Sequence, residues 1–408
     1  MANTITAYNP VFYANEALIV LENALGMANR VYRAYETERN SFGLGDTINI
    51  RKPSSLEVKT GGTSNTSDVV TEQRTITLNQ WKQVKISLTD QEISKTGERI
   101  IEEHIQPASY ALANQIDTDL MGLFTKVPWR YGVAGASESN GLGKNITDIT
   151  APRRILAKNA GRQVDIDQGN IHLGVRPEVE ENFIGNEIFY SSTVVGGTQN
   201  QQALLNGSLG PRFGVEVFRS HNVGNHTSGT VISATTSGGA QGALNGAASK
   251  GASSIAVNGF AGTETFKIGD TILIAGNDQR YVVTADQDLA GGAATLSISP
   301  NLVQDYVDTA VVSAADGNDT VGDFSDRFYG NMLFHRNAFA LCVAPLPQTG
   351  DGAGAQMATV TDDQTNLSIR SRVAYDDASA SVKVTLDILY GIQCIEPNLA
   401  VVIQENYV

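Results

Sequence analysis

Cysteine is nearly absent from these 408 residues: there are two, Cys342 and Cys394. Both stand in apolar, strand-like runs (Phe339 to Val343 and Ile388 to Ile395), so buried free thiols are expected. Two thiols are too few for a disulfide framework. Aromatic residues make up only 7%, and tryptophan occurs twice, at Trp81 and Trp129. A carbohydrate-active enzyme would cluster such rings beside paired acids, and no such cluster is present. No apolar stretch approaches the ~20 residues needed to cross a bilayer as a helix. Met1 to Pro10 lacks the basic-then-apolar order of a secretory signal. A chain made and folded in a cytoplasm is therefore expected, and the sequon Asn145-Ile146-Thr147 carries no meaning there. Basic charge is scarce as well. Lys and Arg total 29 against 43 Asp and Glu, a net charge of -14, and the densest basic group is Arg153-Arg154 with Lys158 and Arg162. Readers of nucleic-acid sequence gain affinity from clustered cations. An acidic chain is repelled by DNA as a whole.

The residues that are abundant point to β-structure. Apolar residues reach 41% and glycine numbers 40; with few rings, this suits a β-rich chain with many turns, or a thin subunit that buries surface against neighbours. From Asn15 to Tyr35, Leu18, Leu21, Leu25, Ala28 and Tyr32 recur at helical spacing. Asp46 to Val58 and Thr75 to Leu88 alternate as strands, with Trp81 out of parity. Between them, Lys59 to Glu72 is polar and turn-rich, so a long hairpin is expected. A long hairpin alone is marginally stable, so it is expected to lie on a neighbouring subunit. Thr89 and Glu92 form a capping box for a helix over Asp90 to Phe124. That helix would span about 50 Å, with a kink expected at Pro107.

Residues 151–228 read as α/β, with helices over Pro152 to Ala160 and Pro177 to Tyr190 and strands over Ile171 to Val175 and Phe213 to Ser220. Residues 228–263 are nearly all small or polar. Short strands follow, over Thr271 to Ala275, Gln279 to Thr284, Ala294 to Ile298 and Val307 to Val312, separated by turn residues. This reads as a small all-β domain inserted into an α/β pattern that resumes near Phe328. Strands then return, notably Val382 to Ile395 and Leu399 to Ile403, with a Gly-rich loop over Gln348 to Ala355.

Motifs that carry chemistry fail on inspection. Gly143-Lys144-Asn145 lacks the Ser or Thr of a phosphate-binding loop. Gly350-Asp351-Gly352-Ala353-Gly354 lacks dinucleotide spacing. His221 and His226 have metal-ligand spacing but no Cys or further His nearby. Asp165-Ile166-Asp167 and Asp316-Gly317-Asn318-Asp319 miss the calcium-loop pattern. No nucleophile elbow occurs. No catalytic, cofactor-binding or metal residue is assigned, and no cofactor is expected.

Three stretches carry a resemblance. Lys267-Ile-Gly-Asp-Thr-Ile-Leu-Ile-Ala-Gly276, with Arg280 to Ala285 and Thr295 to Pro300, resembles the inserted β-domain of P22-like tailed-bacteriophage coat proteins. Asn331 to Ala340 resembles the segment that follows this insertion. Leu386 to Gly391, with Glu396-Pro397 and Val401 to Ile403, resembles the family's C-terminal strands. The order of elements is similar along nearly the whole chain. The resemblance implies an α+β, HK97-type capsid fold. Its parts would be an N-terminal arm (1–45), an extended loop hairpin (46–88), a spine helix with peripheral domain (89–150), an axial α/β domain (151–228), an inserted β-barrel-like domain (229–315) and the rest of both domains (316–408). It implies a non-enzymatic major capsid protein that self-assembles, as hexameric and pentameric capsomers, into an icosahedral shell around double-stranded DNA. Implied partners are a scaffolding protein, a portal, DNA packaged without sequence-specific contacts, and in some cases a decoration protein; no membrane is involved. The family does not crosslink its subunits. An encapsulin-like nanocompartment shell is the alternative within the fold, opposed by the insertion. A phage tail or adhesin protein is the alternative outside it, opposed by the long helix.

Overall fold

The computed structural model describes residues 10–33, 47–51, 73–91, 104–132, 141–160, 168–186, 209–233, 240–315, 327–348, 355–362 and 365–406. The chain divides into two units. The first comprises Met1–Leu25, Tyr32–Ile116 and Phe339–Ile395; the second comprises Gly26–Val31, Asp117–Ala338 and Glu396–Val408.

The first unit is built on Ser381–Cys394, the apolar run near the C-terminus. This strand pairs antiparallel with Leu367–Asp376 and Phe339–Ala344 along one side and with Gln80–Thr89 along the other, while Ala355–Asp362 extends the sheet beyond Leu367–Asp376. With partners on both sides it buries Val384, Leu386, Ile388 and Tyr390. Helix α1, Pro10–Ala24, packs on Leu367–Asp376 and Ala355–Asp362 through Tyr13, Ala17, Leu18 and Leu21. The helix expected over 15–35 thus starts earlier and stops at Ala24. Leu25 and Ala28 stay buried in the turn beyond it, where Gly26 follows, and Tyr32 bridges to Ala340.

The expected hairpin forms at its base, where Thr47–Arg51 pairs antiparallel with Gln73–Thr77. Its return strand is not one run. The chain breaks at Leu78-Asn79, and Gln80–Thr89 pairs instead with Ser381–Tyr390. Ile48, Ile50, Ile76 and Leu78 bury against Ala340, Cys342, Ala344 and Ile395. The base therefore rests on the subunit's own sheet; the tip expected at 59–72 lies outside the described residues. Trp81, out of parity in the sequence, points away from this core and is exposed. Helix α2, Gln106–Met121, is the described part of the expected long helix, and residues 92–103 lie outside the described ones. Pro107 is its second residue, preceded by a π-turn at His104-Ile105, so the irregularity expected at this proline takes the form of a widened turn.

In the second unit a mixed sheet runs in the order Arg130–Gly132, Ala400–Asn406, Arg327–His335, Ile171–Val175, Val215–Arg219, Pro211–Arg212. Two of its pairings are parallel, Arg130–Gly132 with Ala400–Asn406 and Ile171–Val175 with Val215–Arg219. Helix α3, Thr147–Ala160, packs on Ala400–Asn406, and helix α4, Pro177–Ile184, follows Ile171–Val175. Helix α3 starts before Pro152, contrary to the reading that set Pro152 in its first turn. Asp148 closes the preceding loop by accepting the N–H groups of Gly143 and Asn145, and this fixes the earlier start. Helix α4 ends at Gly185, short of Tyr190. The strand expected from Phe213 begins at Val215, because Phe213 and Gly214, at φ 52° and 74°, make the turn of a short hairpin.

The same unit holds a closed six-stranded barrel in the order Ser254–Asn258, Ala294–Ser299, Arg280–Val283, Thr271–Ile274, Val311–Ala315, Gln241–Leu244. Its core includes Leu244, Val257, Phe266, Ile272, Tyr281 and Leu296. Two of these strands lie inside the small-residue stretch 228–263, where the sequence reading named no strand. Small residues are what the packing there requires: a Cβ at Gly242 would stand 2.4 Å from the Phe260 ring. The strand expected at Val307 starts at Val311, since Thr309 adopts φ 63° in a turn.

Candidate functional site

The polar groups that stand out in this chain are buried contacts and ion pairs that hold the barrel and the sheets in register. The barrel is tied to the mixed sheet of its own unit by buried polar contacts. Arg130, 2% exposed, donates to the Gly269 carbonyl and lies over the Phe328 ring at 5.0 Å. His226 Nε2 meets Asp270 Oδ1 at 3.0 Å, and Asp270 Oδ2 accepts the N–H groups of Gly229 and Lys267 at 3.0 and 2.7 Å. Asp270 is fully buried; a buried charge persists only where it is paired and hydrogen-bonded, as here. Asn398 accepts from Trp129 Nε1 at 3.0 Å and from Gln279 Nε2 at 3.2 Å, joining the end of the mixed sheet to the barrel wall.

Within the barrel, Tyr281 and Tyr306 share a buried hydroxyl contact of 3.1 Å, and burial pushes the Tyr306 phenol above its usual range. In the mixed sheet, Arg30 and His172 both reach Glu216, at 2.7 and 2.8 Å. Burial pushes Glu216 up, but Arg30 and His172 outweigh it and hold the carboxyl below its ordinary value. His172 is lowered as well, by burial, against the pull of Glu216. Tyr131 donates to Asp148 at 3.0 Å, and burial and the Asp148 charge push its phenol up to about 12. In the first unit, Arg370 and Arg372 converge on the buried Asp387. These groups position backbone, and none is set as a nucleophile with its base.

The sequence candidates fall as follows. His226 is committed to Asp270, and His221 stands exposed in a bend, so the two do not form a ligand pair. No group of three potential ligands gathers among the described residues. Gly143, in the rejected phosphate-loop pattern, turns at φ 97° and donates to Asp148. Asp165 to Asp167, Asp316 to Asp319 and Gly350 to Gly354 lie outside the described residues. Cys342 and Cys394 are buried and not joined in a disulfide. No helix among the described residues is long and apolar enough to cross a membrane. Sequence reading missed Arg130 and Asp270 as anchors, since a lone charge in a strand or turn gives no signal of its partner.

The sequence model of the phage capsid protein family matches residues 71–268, a little under half of the chain. The stretch runs from the hairpin's return strand through α2 to α4 and into the barrel. No curated protein matches the sequence. Among solved structures, one from Mycobacterium phage Che8 is 13% identical, covers 93% of this chain and 90% of its own, and has a TM-score of 0.49. The mature capsid of bacteriophage PhiM1 is 12% identical, with 88% and 82% coverage and a TM-score of 0.44. A virus-like particle from Pyrococcus furiosus is 8% identical, with 96% and 97% coverage and a TM-score of 0.39. These likenesses are too distant to add to the family match. Over residues 71–268 the chain is thus similar to the phage capsid protein family.

Proposed function

We propose that this chain is the major, non-enzymatic shell subunit of a P22-like tailed phage, built on the HK97-type plan with an inserted barrel over 229–315. It self-assembles as hexamers and pentamers into an icosahedral shell around double-stranded DNA, in the host cytoplasm and with the help of a scaffolding protein and a portal. The family match over 71–268 carries this reading. The hairpin continuous with 47–51 and 73–77, the helix at 106–121 and the six-stranded barrel occur in the chain order such a subunit needs. The net charge of -14 suits a wall that faces DNA without gripping its bases. Subunits in closed rings use head-to-tail contacts, and obligate interfaces of this kind bury about 2,000 Å² or more.

Electron microscopy of the purified protein, alone and co-expressed with a scaffolding protein, tests the proposal. Closed shells or capsomers are expected. A monomer that stays monomeric in sedimentation at high concentration overturns it. Particles boiled in detergent should release single chains, because no reactive motif surrounds Lys59, Lys82 or Lys85; ladders that survive reducing agent would remove the non-crosslinking part.

A further inference from the structure

Two cations of the densest basic group of the sequence share one cleft in the fold. Arg154 and Lys158 stand one turn apart on α3, both exposed, and they line a cleft of about 150 Å³ that faces the barrel. Arg280 and the buried Arg130, which is bonded to Gly269, also line it, with Asp278 as the single carboxylate. Ile155 and Leu273 form an apolar floor, and Asn159 adds a neutral polar group. The walls are fixed: Arg130 is held at Gly269, and Asn398 joins Trp129 to Gln279, the neighbour of Arg280.

Two observations set this cleft apart from an ordinary solvated face. Arg154 and Lys158 form no hydrogen bond or ion pair among the described residues, nor does Asp278 neutralise them. Like charges four residues apart on a helix repel and destabilise it. A chain with 43 acidic residues against 29 basic ones thus leaves this repulsion unrelieved beside two further arginines.

We propose that the cleft is a phosphate-binding site. The two charges of Arg154 and Lys158 are more than one carboxylate ligand can neutralise, whereas a phosphate brings up to two charges on one compact group. Arginine forks donate in pairs to phosphate oxygens, and lysine adds a movable point charge. The phosphate is either free inorganic phosphate or part of a nucleic-acid backbone; both present the same oxyanion.

Isothermal titration of the full-length, unassembled subunit at low salt, with inorganic phosphate and pyrophosphate as probes, tests this. Saturable binding at one site per chain is expected. Removing Arg154 and Lys158 together (R154E with K158E) should weaken it about a hundredfold, since each charge-assisted contact is worth about tenfold. R154Q with K158Q serves if the reversed charges unfold the subunit. R153E, on the same helix but not lining the cleft, should bind as the parent does. A short oligothymidylate that displaces phosphate identifies the nucleic-acid backbone as the source, and phosphate binding without displacement identifies the free ion. Absence of phosphate binding, binding indifferent to Arg154 and Lys158, or tighter binding of triglutamate than of pyrophosphate overturns the proposal.

Discussion

The carboxylate of Asp117, on helix α2, accepts the backbone N–H groups of Gly26 and Ala28 at 2.6 and 3.0 Å, across about ninety residues of chain. The turn after α1 is thereby tied to the last part of α2. Asp117 is 6% exposed, and burial pushes its carboxyl above the usual range, although the N–H groups and Arg30 pull it back. Asp117→Asn places an amide nitrogen against one of these donors. A loss of about 1–3 kcal/mol is expected, the cost of one unsatisfied buried group. The pH dependence has a definite sign. A folded carboxyl raised above 3.8 contributes stability that is full below that pH and lost as pH rises through the folded value. Urea titrations across a pH series should show the parent's advantage over Asp117→Asn shrinking from acid toward neutral pH.

Gly391 lies where the hairpin base crosses the central strand. A Cβ there would stand 2.5 Å from the Thr77 carbonyl oxygen and 3.0 Å from Ile76. Gly391→Ala should destabilise the subunit by about 1–3 kcal/mol through overpacking. Gly122→Ala, with nothing within 4 Å of the added carbon, should leave the urea midpoint unchanged or slightly higher. Equal midpoints for the two variants would show that the base does not rest on Gly391.

Asp387 is fully buried and accepts from Arg370 at 2.5 Å and from Arg372 at 3.0 Å, joining neighbouring strands of the first unit's sheet. Asp387→Ala strands the buried Arg370 charge, and a loss of about 3–5 kcal/mol is expected. Denaturant unfolding should also show a smaller loss when Arg370 and Asp387 are both replaced by apolar residues of similar volume. Additive losses would mean the pair is not coupled.

The barrel core is drawn from residues 231–314. Expressed alone, residues 229–315 should give a β-type circular dichroism spectrum and a cooperative melt, because the apolar core closes within the segment and the contacts described across its boundary, such as His226 to Asp270, are polar. Replacement of the segment by a Gly-Ser linker in the full chain should lower the yield and change particle size or shape. An unfolded fragment would refute the boundaries; normal shells from the deletion would refute an assembly role.

Much of this architecture was legible wherever side-chain alternation is strong. Ser381–Cys394 and the strands at 171–175, 271–274, 280–283 and 294–299 follow their apolar patterns closely. The barrel strands at 241–244 and 254–258 were hidden, because close packing under Phe260 favours glycine and alanine, which carry little periodic signal. The end of α1 and the early start of α3 were hidden too. Both depend on carboxylates, Asp117 and Asp148, accepting backbone N–H groups, and a sequence gives no sign of which donors a carboxylate will meet.

The sequence by itself determined the order of elements, the scarcity of reactive groups and the segments that resemble capsid proteins, since periodicity and composition are local properties of a chain. Only the tertiary structure decided that the return strand divides at Leu78-Asn79, that His226 pairs with Asp270, and that Arg154 and Lys158 share a cleft with Arg130 and Arg280. Each of these joins residues far apart in sequence, and such pairings are set by which surfaces exclude water from one another once the chain has folded.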